Sequence, residues 1–279
     1  MGNIEKLKEE FQRKKFNFDQ SIMEIMSSKT DDRTTFPPYV PIVGENYDTY
    51  NILSYSTAQN IKFDDYQKGL QKNYSRLSER LLNTKTTYPS SFEDIDINPY
   101  RCGILPALLG VFIYAKFGEK IECLNEIIDY VAVTNYYKFS FNKGKKDINP
   151  ESMLLKYVKK NIVENFWGEN DKLVKEEIDI LSPKYIIVFK GRKYTKLRKM
   201  PNNSEREIFE VNDPSWILRG GGGNLKDGKG WGMIVGKYKN SEVYELIYNY
   251  SNKLCGNYKR KRESSFVYLL HYYHEWKKG

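Results

Sequence analysis

The chain has 279 residues, of which 40% are hydrophobic, so it can bury the core of one large domain or of two small ones. Its formal net charge of +9 favours a polyanionic partner, most simply nucleic acid, although a basic solvated surface gives the same composition. Its three widely spaced cysteines and two histidines argue against a disulfide framework, a zinc site, an iron–sulfur cluster and histidine-based metal chemistry.

The sequence shows no pattern typical of secretion or membrane insertion. Residues 1–15 are charged and lack the apolar run of a signal peptide. The most apolar window, residues 104–117, is too short to span a bilayer. We therefore expect a cytoplasmic protein without membrane contact, metal ion or cofactor, and we take a monomer as the simplest assembly.

Apolar periodicity predicts an α/β protein. Residues 3–27 have the spacing of an amphipathic helix, so we assign residues 1–35 to an amino-terminal helical extension and residues 36–279 to a single domain. In that domain short apolar runs alternate with helical patterns, which favours a three-layer sandwich around a central, mostly parallel sheet. The predicted strands are residues 40–43, 130–134, 185–189, 233–238 and 243–248, and the predicted helices are residues 61–84, 101–117, 121–128, 150–181 and 266–276.

The stretch YVPIVGENYDTYNILSYSTAQN, residues 39–60, contains the polar set that we expect to organise the chemistry. It follows the first predicted strand, and Gly44 there allows a sharp turn and the close approach of a ligand. The same residues also fit an ordinary strand-to-helix turn with Asn and Asp as caps. The polar and aromatic residues after the strand are Glu45, Asn46, Tyr47, Asp48, Tyr50, Tyr55, Gln59 and Asn60.

Three predicted strand ends carry comparable polar residues, at positions 44–48, 135–138 and 249–253. In a parallel sheet such ends converge on one crevice. Asn135 and Asn249 each present a donor and an acceptor, which is what the edge of a nucleobase requires. Nearby tyrosines can stack on a base, and basic loops can hold phosphates. Together these features predict a pocket for a nucleotide that is flipped out of DNA.

With these residues the chain resembles the uracil-DNA glycosylase superfamily, in particular the branch whose first motif is Gly-x-Asn. The resemblance rests on Gly44-Glu45-Asn46, on Val133-Thr134-Asn135 and on SPKYIIVFKG (residues 182–191), each with a predicted strand, and it spans about residues 36–260. It implies a glycosylase-like α/β fold and hydrolysis of the N-glycosidic bond of a flipped base in DNA.

The resemblance also implies residue roles. Asn46 would position the water that attacks C1′, and Glu45 or Asp48 would act as the general base, since an amide cannot accept a proton. Leu254 would fill the gap left by the flipped base. The implied base-binding residues are Gly44, Tyr47, Tyr55, Asn135 and Asn249. The implied DNA contacts are Ser251, Lys253, Leu254, Lys259, Arg260 and Arg262.

The chain departs from the family at two of these positions. Asn249 stands where the family has a histidine, and Tyr47 stands where it usually has proline. The first two motifs are also unusually far apart. These departures favour a bulkier, modified pyrimidine over uracil, and a role against modified phage DNA fits such a substrate.

Other functions remain open at this point. A non-catalytic DNA-binding module on the same fold would keep Tyr55, Asn135 and the basic loops but would not need the carboxylates. A metal-dependent nuclease is disfavoured, because the only Glu-x-Lys, at Glu275, lies on the predicted terminal helix. A dinucleotide-dependent enzyme is disfavoured, because the glycine run at residues 220–223 does not follow a clear strand.

Overall fold

The computed structural model describes residues 42–56, 99–136, 141–143, 146–148, 160–189, 192–200, 205–212, 231–255 and 259–278. The predicted amino-terminal extension, residues 1–35, and the predicted helix over residues 61–84 lie outside these ranges. In the described part no helix is long and apolar enough to cross a bilayer.

The described elements alternate between strands and helices along most of the chain. The strands are β1 (Ile42–Val43), β2 (Ile52–Ser56), β3 (Val131–Asn135), β4 (Phe141–Lys143), β5 (Lys146–Ile148), β6 (Tyr185–Phe189) and β7 (Glu207–Val211). The helices are α1 (Pro99–Phe117), α2 (Lys160–Leu181), α3 (Arg192–Arg198), α4 (Trp231–Tyr238), α5 (Glu242–Cys255) and α6 (Lys259–Lys278). Two 3₁₀ turns, Tyr47–Thr49 and Glu126–Tyr130, precede β2 and β3.

The described strands form one large sheet and one separate hairpin. The sheet has the order β1-β3-β2-β6-β7. Strands β3, β2, β6 and β7 are parallel to their neighbours, whereas β1 is antiparallel to β3. Strands β4 and β5 pair with each other in antiparallel fashion. The prediction of an α/β fold with a mostly parallel sheet is thus confirmed.

The parallel strands define where a ligand of such a sheet would bind. The chain passes from β2 to β3 on one side, then returns past β2 to β6 and continues to β7. Connections of the same hand that move in opposite directions must place their helices on opposite faces of the sheet. The connection that leaves β2 runs toward β3, whereas the connection that leaves β6 runs toward β7, so the direction reverses between these two neighbouring strands. Open α/β sheets bind ligands at the carboxyl ends of the strands beside such a point.

Helices α1, α5 and α6 cover one face of the sheet with a largely aromatic core. The ring of Phe112 on α1 packs against Tyr185 of β6, Phe209 of β7 and Trp276 of α6, with centroid distances of 5.5, 5.1 and 4.9 Å. Residues 104–113 of α1 are all buried, because α5 and α6 cover the side that faces away from the sheet. This explains why α1 is apolar on nearly every side.

Helices α2 and α3 lie on the opposite face. Tyr55 of β2 pairs in register with Val188 of β6, so both side chains lie on the face opposite to Tyr185. The hydroxyl of Tyr55 donates a hydrogen bond to Glu177 on α2. Leu197 of α3 is buried, and α3 contacts β6 and β7. The described sheet therefore has helices on both faces.

Several predicted elements are confirmed. The strands predicted at residues 130–134 and 185–189 are β3 and β6, and all five residues of β6 are buried, as expected for a central parallel strand. The helix predicted at residues 101–117 is α1, and Gly118 ends it with a φ of 76°. The terminal helix is confirmed as α6, although it begins before the predicted residue 266.

Two of the predicted strands are wrong. Residues 233–238 and 243–248 form α4 and the start of α5. The error came from their many β-branched and aromatic residues. The buried positions of α5 are Val243, Leu246, Ile247 and Tyr250, which have helical spacing, and they pack against α1 and α6. The short helix predicted at residues 121–128 is also wrong, because only residues 126–130 form a 3₁₀ turn there.

The sequence analysis missed β2, β4, β5, α3 and β7. Strand β2 was overlooked because Ser54 and Ser56 interrupt its apolar run. The chain enters β2 through Asn51, which has a φ of 53°, a left-handed conformation that asparagine tolerates well. The carbonyl oxygen of Asn51 accepts hydrogen bonds from the backbone N–H groups of Lys184 and Tyr185, at 2.9 and 3.1 Å, and so aligns β2 with β6.

The buried tyrosines predict a loss of stability at alkaline pH. Burial raises the pKa of Tyr47, Tyr55 and Tyr250 and raises that of Tyr272 to about 12. These groups stay protonated in the folded state after they ionise in the unfolded state near pH 10. Their contribution to stability is therefore complete below pH 10 and is lost above it, at a slope of up to about 1.4 kcal/mol per pH unit for each tyrosine. Urea unfolding between pH 8 and about pH 11.5 measures this slope.

The variant Tyr47→Phe provides a matched control for that measurement. The Tyr47 hydroxyl is buried and has no hydrogen-bond partner among the described residues. Its removal should leave the free energy of unfolding at pH 7 unchanged or slightly raised, and it should make the alkaline slope shallower. A wild-type stability that does not change between pH 9 and about pH 11.5 would contradict the burial of these phenols.

Candidate functional site

The predicted catalytic loop follows β1 and lies at the amino edge of the parallel sheet. Because β1 is antiparallel to β3, its carboxyl end meets the amino end of β3, and Val43 pairs with Ala132. The backbone N–H of Gly44 donates to the carbonyl of Val131 at 3.0 Å, and that of Asn46 donates to the carbonyl of Asp129 at 2.7 Å. The prediction that this loop converges with Asn135 is therefore wrong.

The glycine of this loop is explained by packing. A Cβ atom on Gly44 would lie 2.2 Å from the carbonyl oxygen of Asp129 and 2.3 Å from that of Ile128. Tyr47 is buried beneath the turn, with 4% of its surface exposed, so it does not present its ring to a base. The implied catalytic residues Glu45, Asn46 and Asp48 are exposed. The geometry is that of a turn into the short 3₁₀ segment Tyr47–Thr49, and the side chain of Asn46 forms no capping hydrogen bond there.

The amino edge is acidic where it is described. Tyr50 donates a hydrogen bond to Glu119, which places the connection between α1 and β3 beside the β1 loop. The exposed charged residues of this connection and of the loop are Glu45, Asp48, Glu119, Lys120, Glu122 and Glu126. Five of these six side chains are acidic, so this edge repels a phosphate backbone.

Tyr55 is not available to stack on a base. Its side chain is fully buried, and its hydroxyl donates to Oε1 of Glu177 at 2.7 Å. Its ring packs edge-on against Tyr136, with 6.0 Å between the ring centroids. The stacking role implied for Tyr55 is therefore contradicted, and the residue belongs to the interior between β2 and α2.

The residues predicted at the third strand end lie on α5. Asn249 is exposed on this helix, and Lys253 donates from Nζ to the carbonyl of Glu122 at 3.1 Å. Ser251 is fully buried, and its hydroxyl donates to the carbonyl of Ile247 at 2.8 Å. Leu254 is partly buried and packs against the hydrophobic core. The burial of Ser251 contradicts the DNA contact implied for it, whereas the role implied for Leu254 stays a prediction.

The basic run Lys259, Arg260 and Arg262 begins α6, directly after α5 in the sequence, and does not follow a strand. Positions 44–48 and 249–253 both contact the connection between α1 and β3. Asn135 lies at the other end of β3, roughly 13 Å from Val131 at strand spacing. The structure thus brings two predicted sets to one edge and leaves Asn135 at the opposite edge.

The carboxyl edge contains a polar cluster that the sequence analysis did not find. Asn135 ends β3 and pairs in register with Ser56, which ends β2. The next residue, Tyr136, is buried, and its hydroxyl donates to Oδ1 of Asp171 at 2.9 Å. Oδ2 of Asp171 forms an ion pair with Nζ of Lys196 at 3.1 Å. This edge therefore joins β3, α2 and α3 through one charged chain of contacts.

A buried carboxylate lies one layer deeper. Glu177 is fully buried and accepts hydrogen bonds from Tyr55 at 2.7 Å and from Oγ1 of Thr134 at 3.3 Å. Desolvation raises the pKa of Tyr55, and the negative charge of Glu177 raises it further, because it would repel a phenolate. Asn170 lies about two turns before Glu177 on α2, and it donates from Nδ2 to the carbonyl of Tyr136 at 3.2 Å.

One sequence signal could have revealed this cluster. Asn170 and Glu177 interrupt the apolar stripe of α2 at positions that repeat with helical spacing. Buried polar residues in such a stripe must find partners in the interior. The apolar members of the stripe are Leu173, Val174, Ile178 and Leu181.

The described residues contain no group of three or more His, Cys, Asp or Glu side chains placed to hold a metal ion. Glu275, the carboxylate of the only Glu-x-Lys, is exposed and pairs with Lys278 at 3.0 Å. His274 contacts the Tyr238 hydroxyl through Nδ1 at 3.0 Å.

Comparison of the sequence with models of known protein families gives no match. Comparison with curated proteins also gives no match.

Proposed function

We propose that this chain is a DNA glycosylase that binds a flipped base at the carboxyl edge of its parallel sheet. The observation that carries the proposal is the register of β2 and β3, in which Ser56 lies beside Asn135 next to the point where the chain direction reverses. Open α/β sheets bind their ligands at this edge. We include in the proposal that the sheet and its two helical layers are those of the uracil-DNA glycosylase superfamily.

The distribution of charge supports the choice of edge. The whole chain has a net charge of +9, yet the described amino edge is acidic. The positive excess therefore lies elsewhere on the molecule, and a phosphate backbone would approach from a direction other than the amino edge.

The proposed reaction is hydrolysis of the N-glycosidic bond of a modified pyrimidine. The oxygen of a water molecule bonds to C1′, and the bond from C1′ to N1 breaks with its electron pair on the base. The proton that the water loses balances the protonation of the released base, so no co-reactant is required. The amide of Asn135 supplies the donor and acceptor that hold the edge of the base.

The roles of the carboxylates change in this proposal. Glu45 and Asp48 lie at the amino edge and have no part in the reaction. The water-positioning role that the resemblance gives to Asn46 passes to a residue that follows β2, because β2 ends beside Asn135. Gln59 and Asn60 follow β2 in the sequence and lie outside the described residues.

The test is base release without added metal. DNA that contains uracil and DNA that contains a modified pyrimidine are incubated separately with the protein, and abasic sites are detected by alkaline cleavage. We expect abasic sites on the modified DNA, and we expect Asn135→Ala to lower kcat/KM by about tenfold to a hundredfold, which corresponds to 1–3 kcal/mol for one bidentate base contact.

The alternative is a non-catalytic DNA-binding module. The separation of Glu45 and Asp48 from Asn135 favours it, because the edge that would bind the base then lacks those carboxylates. DNA binding without abasic sites on any substrate would establish this alternative and would remove the glycosylase proposal. Strand breaks that depend on a metal ion would exclude both functions.

A further inference from the structure

We propose that α3 and the residues around it form the surface that holds the phosphate backbone of DNA. This inference deepens the proposed function, because it rests on the same edge of the sheet. It concerns residues that the resemblance does not assign. The described residues from 192 to 199 include five basic residues and no acidic residue: Arg192, Lys193, Lys196, Arg198 and Lys199.

Chain connectivity places this segment at the carboxyl edge. Strand β6 ends at Phe189, beside the point where the chain direction reverses, and α3 begins three residues later at Arg192. Helix α3 contacts both β6 and β7, and Leu197 is buried against them. The helix is thus fixed to the sheet by its apolar residue, while Arg198 and Lys199 are exposed.

One ion pair links this basic helix to the proposed base site. Nζ of Lys196 lies 3.1 Å from Oδ2 of Asp171, and Oδ1 of Asp171 accepts the Tyr136 hydroxyl at 2.9 Å. Tyr136 directly follows Asn135 in the chain. The contacts therefore hold the cations of α3 at a fixed position relative to Asn135, which is what phosphate contacts do when they set the register of a base-reading residue.

Two other basic groups are less suited to this role. Lys253 lies at the amino edge and donates to the backbone carbonyl of Glu122. The run at the start of α6 comes after α5 in the chain and does not follow a strand. Among the described helices, α3 alone combines clustered positive charge with a contact that leads to the end of β3.

The experiment measures binding to a labelled DNA duplex of mixed sequence over a range of salt concentrations. The triple variant Lys196→Gln, Arg198→Gln and Lys199→Gln should lower the slope of log K against log salt by about 2–3, since each phosphate contact contributes about 0.9. The control variant Lys237→Gln, Lys239→Gln and Lys277→Gln removes the same charge from exposed positions on α4, on the turn after it and on α6, and it should change the slope by less than about 1.

A second variant guards against a folding defect in the first. Arg198→Gln with Lys199→Gln leaves the ion pair between Lys196 and Asp171 intact, and it should lower the slope by about 1–2. Equal losses in the α3 variants and in the control would overturn the inference, and so would unchanged binding in the α3 variants.

The base-release assay separates this inference from the proposed function. If wild-type protein releases no base but its DNA binding depends on α3, the phosphate surface stands and the glycosylase proposal fails. If wild-type protein releases base and the α3 variants keep the wild-type KM for DNA, the glycosylase proposal stands and the phosphate surface fails.

Discussion

Replacing Glu177 by alanine is expected to lower the free energy of unfolding by about 4 kcal/mol, the largest stability effect that we predict at a single residue. The carboxylate is fully buried and accepts hydrogen bonds from Tyr55 of β2 and Thr134 of β3. Its removal takes an acceptor from both hydroxyl groups and leaves a cavity between α2 and the sheet. Urea unfolding monitored by circular dichroism measures the change.

A matched control is available on the same helix. Asp179 lies two residues further along α2 and forms an exposed ion pair with Lys175. Asp179→Ala should cost less than about 1 kcal/mol, because exposed ion pairs contribute little. A double-mutant cycle of Glu177→Gln with Tyr55→Phe should give a coupling energy of about 1.5–3 kcal/mol. A loss below about 1 kcal/mol for Glu177→Ala would mean that this carboxylate does not hold α2 to the sheet.

Gly44→Ala is expected to destabilise the protein by about 3 kcal/mol, because the new methyl group overlaps backbone that cannot rotate away. The Cβ atom would lie 2.2 Å from the carbonyl oxygen of Asp129, well inside van der Waals contact. Relief of the overlap requires the β1 loop to move away from the start of β3. That movement breaks the hydrogen bonds from the backbone N–H groups of Gly44 and Asn46.

Gly168→Ala is the control for this substitution. Gly168 lies within α2, is exposed, and a Cβ atom there would meet nothing within 4 Å. Alanine should therefore stabilise the protein by about 0.5–1 kcal/mol, because it is the better helix former. The same urea titration applies to both variants. A Gly44→Ala protein as stable as wild type would show that the loop after β1 is not packed on the 3₁₀ turn at residues 126–130.

The sequence was sufficient to predict the strongest elements of the fold. Strands β3 and β6 are short apolar runs bounded by polar residues or proline, and such runs form buried parallel strands in most contexts. The helical structure of α5 was not evident from the sequence, because Val243, Tyr244 and Ile247 have high β-propensity. Tertiary packing against α1 and α6 overrides that propensity. Its buried positions repeat every three or four residues, and this spacing was the better guide.

The candidate site was less predictable, because the pattern of a strand does not reveal its direction in a sheet. Strands β1 and β2 are separated by only eight residues, and both are followed by polar residues. The first is antiparallel and short, so its end faces the amino edge, whereas the second is the parallel neighbour of β3 and β6. The position of Asn135 followed from its strand, but the position of Gly44 depended on a pairing that no local signal specifies.

The most direct test of the carboxyl-edge site compares Asn46→Ala with Asn135→Ala in the base-release assay on modified DNA. Both variants remove one amide, and both are judged at equal fractions of folded protein. The site at the carboxyl edge predicts that Asn135→Ala lowers kcat/KM by about tenfold or more, while Asn46→Ala stays within about twofold of wild type. A large loss in Asn46→Ala with full activity in Asn135→Ala would place the chemistry at the amino edge and contradict this account.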